Sequence, residues 1–267
     1  MKKTVPFLLL IILFAVAAWY SFISGPDPVH EILPPQLAPA APVTRNEPQP
    51  AQDEGVEDYI EPEPVIDPDP LPPLDQSDAE IKQALADVVG TDPLAEYLVK
   101  SQTISRLVAT IDSLTSRQVP SQINPVKAAG GKFVVDTEGE TVVMSNQNFA
   151  RYDDYIALMQ GANTDALVAI YQRYAPLFQL AWEENGRQGQ FVDRLLEVID
   201  HLLETPDVPG PVHLTRYEAV YLFEEPGLEA MTAGQKILLR MGSANAELVK
   251  EKLTEIKVKM DSGSSPE

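Results

Sequence analysis

The chain has 267 residues and no cysteine, so disulfides, thiolate nucleophiles, cysteine-bound zinc and iron–sulfur clusters are excluded. Forty acids against twenty bases give a formal net charge of −20. A surface this acidic repels phosphate backbones and anionic lipid, which argues against a nucleic-acid partner and against the body lying flat on a membrane.

Four regions follow in chain order: 1–25, 26–73, 74–260 and 261–267. Lys2 and Lys3 precede the uncharged run "VPFLLLIILFAVAAWYSFI" from Val5 to Ile23. Its nineteen residues match a helix crossing a hydrocarbon core of about 30 Å. Pro6 falls in the first turn, and Trp19 and Tyr20 lie where aromatic rings favour the interface. The two lysines place the N-terminus in the cytoplasm. The expectation is a single-pass protein of a bacterial inner membrane, partnered by the membrane through Val5 to Ile23, with its C-terminal domain in the periplasm. A cleaved signal peptide ending near "AVA" (Ala15 to Ala17) is the competing reading, and it also exports the body.

Fourteen of the 24 prolines lie between Pro26 and Pro73, interleaved with acids. Proline cannot continue a helix or donate to a sheet ladder, and like charges keep the segment open. A disordered spacer is expected. Tyr59, beside Ile60, is a candidate docking motif within it.

From Leu74 the pattern turns helical. Ser77 and Glu80 read as a capping box for a first helix that Gly90 closes. Asp92 and Pro93 open a second, in which Ile104, Leu107, Val108, Ile111 and Leu114 share a face. Phe133–Val135 and Thr141–Met144, flanking "DTEGE", read as a β-hairpin. The Gly130–Gly131–Lys132 run lacks the spacing of a phosphate loop. Helical faces resume with Phe149, Tyr152, Ile156 and Met159. A longer one holds Leu167, Ile170, Tyr171, Tyr174, Phe178 and Trp182, with Pro176 as a kink and Gly186 as a stop. Phe191, Leu195, Val198, Ile199 and Leu202 form the next, stopped by Pro206. "YEAVYLFEEP" reads as a strand or an irregular packed segment. Thr232 and Gln235 form a capping box, Ser243 caps the last helix, and "DSGSSPE" reads as a disordered tail. The fold expected is mostly α: one multi-helix globular domain with one small β-hairpin, preceded by a transmembrane helix and a disordered linker.

The stretches "DHLLETPDVPGPVHL" and "YLFEEPGLEAMTAGQKILLRMG" resemble family 3014 of the domains of unknown function. "RLVATIDSLTSRQVP", "NPVKAAGGKFVV" and "NFARYDDY" fit as well, over Leu71 to Leu253. The resemblance implies a membrane-anchored bacterial protein of this topology and supplies no catalytic residues.

No assembled reaction motif is visible. Asp200 and His201 are adjacent, so their side chains diverge by about 100° on a helix. Three scattered histidines make no zinc spacing, no cofactor motif appears, and G-x-S-x-G is absent. The acid pairs Asp153–Asp154, Glu183–Glu184 and Glu224–Glu225 could serve glycan cleavage only across a cleft. Arg151, Arg173, Arg216 and Arg240 are expected beside acids such as Asp153 or Asp200, holding elements in register. Arg151, Tyr152, His201, Arg216 and Arg240 are the candidates for a binding surface. The function expected is non-enzymatic binding or scaffolding of an envelope protein or glycan. The alternative is a periplasmic hydrolase or glycan-modifying enzyme using carboxylates.

Overall fold

The computed structural model describes residues 70–90, 97–98, 101–127, 129–218 and 220–263. The expected membrane span, the acidic stretch as far as Asp69 and the Asp92–Pro93 helix start lie outside them, as do His30 and Tyr59.

A 3-10 turn, Leu74–Gln76, leads into α1 (Asp78–Val89). Ser77 does not open the expected capping box. Its backbone is already helical at φ −74°, ψ −14°, and its hydroxyl donates back to the Leu74 carbonyl at 2.8 Å. A capping residue must sit outside the helix to accept from it. Glu80, the box's other half, accepts from the Tyr174 hydroxyl at 3.0 Å instead. Gly90 ends α1 at φ +91°, as expected.

The second described helix, α2 (Thr103–Ser113), starts from Gln102 in the left-handed region, φ +58°. Its first amides are met by a residue 25 positions upstream. The Asp78 carboxylate accepts from Gln102 N–H at 2.6 Å and from Thr103 N–H at 2.7 Å. Ile104, Leu107, Val108, Ile111 and Leu114 are all buried.

The first hairpin pairs β1 (Val135–Glu138) with β2 (Thr141–Met144), Val135 opposite Met144 and Glu138 opposite Thr141. The expected turn residues Asp136–Glu138 are therefore strand, and the turn shrinks to Gly139–Glu140. Gly139 at φ +64° is what a two-residue hairpin turn requires, and that geometry sets the register over the polarity of the strand.

A 3-10 segment, Asn146–Tyr152, follows. Buried Asn148 closes it onto the preceding loop, accepting from Val134 N–H at 2.9 Å and donating to the Val134 and Ser145 carbonyls. Then come α3 (Asp153–Gly161), α4 (Thr164–Glu184) and α5 (Phe191–Leu203). The Asn163 side chain caps α4, accepting from Ala166 N–H. Helix α4 continues through Pro176 to Glu184. The main core lies where α4 meets α2 and α5. There Phe178 stacks on Phe191 at 5.7 Å between centroids, with Tyr171 and Trp182 tilted against Phe191.

The segment read as strand or irregular supplies β4 (Val220–Phe223), which pairs with β3 (Leu214–Tyr217) in a second hairpin; Leu214–Arg216, ahead of that segment, were not expected to be strand. The fold thus has two small antiparallel hairpins among its described residues rather than one. A bridge, Val143 to His213, and a bond from Met144 N–H to the Val212 carbonyl at 2.9 Å connect them. Met144, Val212, Leu214, Phe223, Leu228 and Leu239 form a smaller core beneath.

Three helices complete the chain: α6 (Pro226–Glu229), α7 (Ala233–Arg240) and α8 (Ser243–Gly263). The Thr232–Gln235 capping box forms at the start of α7, as expected. Ser243 does not cap α8. It is that helix's first residue, and its hydroxyl faces the Val208 carbonyl at 3.5 Å. Helix α8 also runs through Asp261 to Gly263, the first part of the expected tail. The start of α7 abuts the end of α2: Ala233 and Gly234 N–H donate to the Ser116 and Leu114 carbonyls at 2.7 and 2.9 Å. A Cβ on Gly234 would lie 2.6 Å from the Leu202 side chain and 3.0 Å from the Leu114 carbonyl oxygen, so this close approach favours glycine. No helix among the described residues is long and apolar enough to cross a membrane.

Candidate functional site: a cleft between the hairpins and the last helix

The connection from α5 to β3, "TPDVPGPV" (Thr205 to Val212), holds three prolines and cannot continue either element. It arches over the start of α8 and leaves a cleft of about 1070 Å³. Val143 and Met144 of β2, Phe149, and Leu238 and Leu239 of α7 give apolar lining. Pro206, Val208 and Pro211 line the loop side. Such a volume is at the upper end of small-ligand pockets.

Two contacts fix the walls. Gly242 joins α7 to α8 at φ +83°, and a Cβ there would lie 2.9 Å from the Phe149 ring. Asn245 donates to the Phe149 carbonyl at 3.3 Å and to the Met241 carbonyl at 3.1 Å. The α8 start is thus held against the 3-10 segment.

The charge of the lining is lopsided. Asp136 of β1, Asp153 of α3, Asp207 of the loop and Glu247 of α8 all border the cleft. All four are exposed. Among the described residues Lys250 is the one cationic side chain bordering it, and its ammonium donates to the Thr205 carbonyl. The first turn of α8 adds a partial positive charge of about half a unit, too little to balance four carboxylates.

The five residues singled out from sequence do not converge on this cleft. Arg151 donates to the carbonyls of Gly130, Ala129 and Gly131, bracing that loop rather than meeting Asp153. Tyr152 is buried, and burial pushes its hydroxyl pKa up against the pull of Arg151 and Arg240. His201 Nε2 lies 2.8 Å from the Thr232 hydroxyl that caps α7, so it ties α5 to that helix start. Asp200 points elsewhere and pairs with Lys257 of α8. Arg216 is exposed on β3, donating to the Glu218 carbonyl at 3.3 Å. Arg173 lies 3.9 Å from Glu80.

Arg240 is 3 % exposed, with its guanidinium 5.3 Å from the Phe223 ring centroid. Burial pushes it down to about 10, opposed by Glu229 and Tyr152. One turn earlier Lys236, also buried, pairs with Glu229, whose other oxygen accepts from Phe223 N–H at 2.9 Å. This group joins α6 and α7 to β4. Among the described residues no group of three or more His, Asp or Glu is placed to hold a metal ion.

Of the cleft's lining, sequence reasoning singled out Asp153 alone as a candidate for chemistry, as half of an adjacent pair, and read Met144, Phe149, Pro206 and Ser243 as structural. The signal that could have found the rest is the proline run from Pro206 to Pro211, an irregular stretch between two regular elements. Loops of that kind carry binding residues disproportionately. Two of the stretches that carry the family likeness, Asp200–Leu214 and Tyr221–Gly242, supply this loop and the α7 wall.

The model of a family described as "Protein of unknown function (DUF3014)" matches residues 103–257. No curated protein matches the chain, and no solved structure does.

Proposed function

The chain belongs to family 3014 of the domains of unknown function, and we propose that it is a binding protein of the bacterial cell envelope. In this reading Val5 to Ile23 anchors it in the inner membrane, the acidic proline-rich stretch spaces it outward, and the helical domain engages a periplasmic protein or glycan. The cleft of about 1070 Å³ carries the reading, because its lining pairs apolar walls with a polar, solvent-facing rim. Recognition sites have that composition.

Photo-crosslinking in living cells tests it. Photoreactive residues at Val143, Val208 and Asn245 should capture one identifiable envelope component. The same residue at Glu184, on the exposed end of α4, should not. Equal capture at all four positions would remove the cleft from the proposal. Alkaline phosphatase fused after Pro73 should be active in cells, and an inactive fusion would overturn the exported topology.

A second reading, glycan cleavage, has one observation in its favour: carboxylates from four separate segments border one cleft. Glycosidases need two such groups about 5–9.5 Å apart. Release of soluble sugar from cell-wall glycan by the full chain, abolished by Asp153→Asn, would establish it over the binding role.

A further inference from the structure

The chemistry of the cleft narrows its occupant. We propose that it seats a short segment of a partner protein in which lysine or arginine flanks apolar side chains. This rests on the binding role argued above and specifies the ligand of the same site.

Three features of the lining carry the inference. The first is charge. Asp136, Asp153, Asp207 and Glu247 stand around the cleft, and Lys250 is already engaged by the Thr205 carbonyl. A cationic ligand is drawn in, and an anionic one is turned away. The second is hydrogen-bond polarity. Pro206, Pro209 and Pro211 remove three N–H donors from the loop within six residues. The Thr205, Val208 and Val212 carbonyls of that wall are already met by Lys250, Ser243 and Met144, so the exposed side-chain acceptor it offers is the Asp207 carboxylate. Ammonium and guanidinium groups are pure donors and satisfy such a wall. The third is the part of the apolar lining that is still partly open, Val143, Phe149 and Val208. A bare polyamine leaves that surface wet, whereas a peptide with apolar side chains covers it. The chain's own stretch 26–73, with Arg45 as its one base among many acids, lacks the charge such a ligand needs.

The test uses the full chain in neutral detergent and three fluorescent twelve-residue peptides. One carries four lysines among leucines and valines. The second replaces the lysines with glutamates. The third keeps the lysines and replaces the apolar residues with serines. Fluorescence anisotropy should show the first binding at least tenfold tighter than the second and at least fivefold tighter than the third. Raising NaCl from 50 to 300 mM should weaken the first several-fold.

The quadruple substitution D136N/D153N/D207N/E247Q removes exposed charges only. With an unchanged circular-dichroism melt, it should lose at least tenfold in affinity. The control E184Q/E204Q should stay within twofold. Equal binding of the lysine and glutamate peptides, or an unaffected quadruple variant, overturns the proposal. So does equal binding of the serine peptide, which would mean diffuse attraction without the apolar lining. If a partner is nevertheless crosslinked at Val143 and Val208 in cells, the binding role stands and only the ligand chemistry falls. Cleavage of glycan dependent on Asp153 overturns both.

Discussion

Asp78 caps a helix that is not its own. Burial acts to raise its carboxyl pKa, but hydrogen bonds from Thr103 and Gln102, with Lys82 nearby, outweigh that and hold it below its ordinary value. The folded carboxylate therefore loses its proton more readily than the unfolded one. Its stabilisation is present above the unfolded pKa of about 3.9 and is lost as pH falls through the lower folded value. Asp78→Ala should cost about 1–2 kcal/mol in urea unfolding at pH 7, the usual range for a lost cap. The deficit should shrink below about pH 4, where the wild type loses the same interaction. A second residue-scale prediction concerns Gly242. Its φ of +83° and the nearby Phe149 ring make Gly242→Ala doubly costly. A loss of about 2–3 kcal/mol is expected from chemical denaturation. Gly139 is also at positive φ but meets nothing within 4 Å, so Gly139→Ala should cost less, about 1 kcal/mol.

At the scale of elements, α2 and α5 are clamped by one carboxylate. Asp112 accepts from Arg194 Nε at 2.9 Å and from Arg187 at 2.6 Å, while Arg194 also reaches the Asp112 carbonyl and the Thr115 hydroxyl. Asp112→Ala leaves Arg194, 17 % exposed, beside a vacated carboxylate site. Arg194 keeps Glu197 at 2.8 Å, so breaking this partly buried pair from one side should cost about 1–2 kcal/mol. The double variant Asp112→Ala/Arg194→Met should recover part of that, as urea midpoints of the cycle will show.

Helices such as α5 were legible in sequence because Phe191, Leu195, Val198, Ile199 and Leu202 repeat at helical spacing, and all five are buried. The hairpins were legible only in part. In β1, Asp136 and Thr137 are exposed, so the strand has no apolar signature, and β3 repeats this with Thr215, Arg216 and Tyr217. Pairing geometry, not side-chain polarity, makes them strands. The Ser77 start failed for a similar reason: a preceding 3-10 turn had already set its backbone helical. Beyond that proline run the cleft left no mark in the sequence, because β2, the 3-10 segment, the Thr205–Val212 loop, α7 and α8 meet only in three dimensions.

For the molecule as a whole, charge is distributed with a purpose that the net value of −20 conceals. Helix α8 brings Lys257 to Asp200 of α5 and Lys259 to Asp165 of α4. Lys252 and Glu255 meet Thr164 at the α4 start. Each exposed pair contributes little, about 0–1 kcal/mol. The buried anchors Val249, Leu253, Ile256 and Met260 on the same helix contribute far more. Salt at 0.5 M should therefore leave the unfolding midpoint almost unchanged, whereas Leu253→Ala should lower stability by about 2–5 kcal/mol, measured by thermal and urea melts.

The junction of α2 with α7 has a consequence for how the chain can be divided. Residues more than 110 positions apart donate and accept backbone hydrogen bonds there, and Asp112 grips Arg187 within the exposed Asn185–Gln190 turn and Arg194 just past it. A polypeptide cut after Gly186 would leave two pieces carrying complementary halves of one seam. Co-expressed, they should reassemble and co-purify, and Asp112→Ala together with Gly234→Leu should let them drift apart. Such a nicked, self-mending form would let each half be labelled separately while the cleft stays whole.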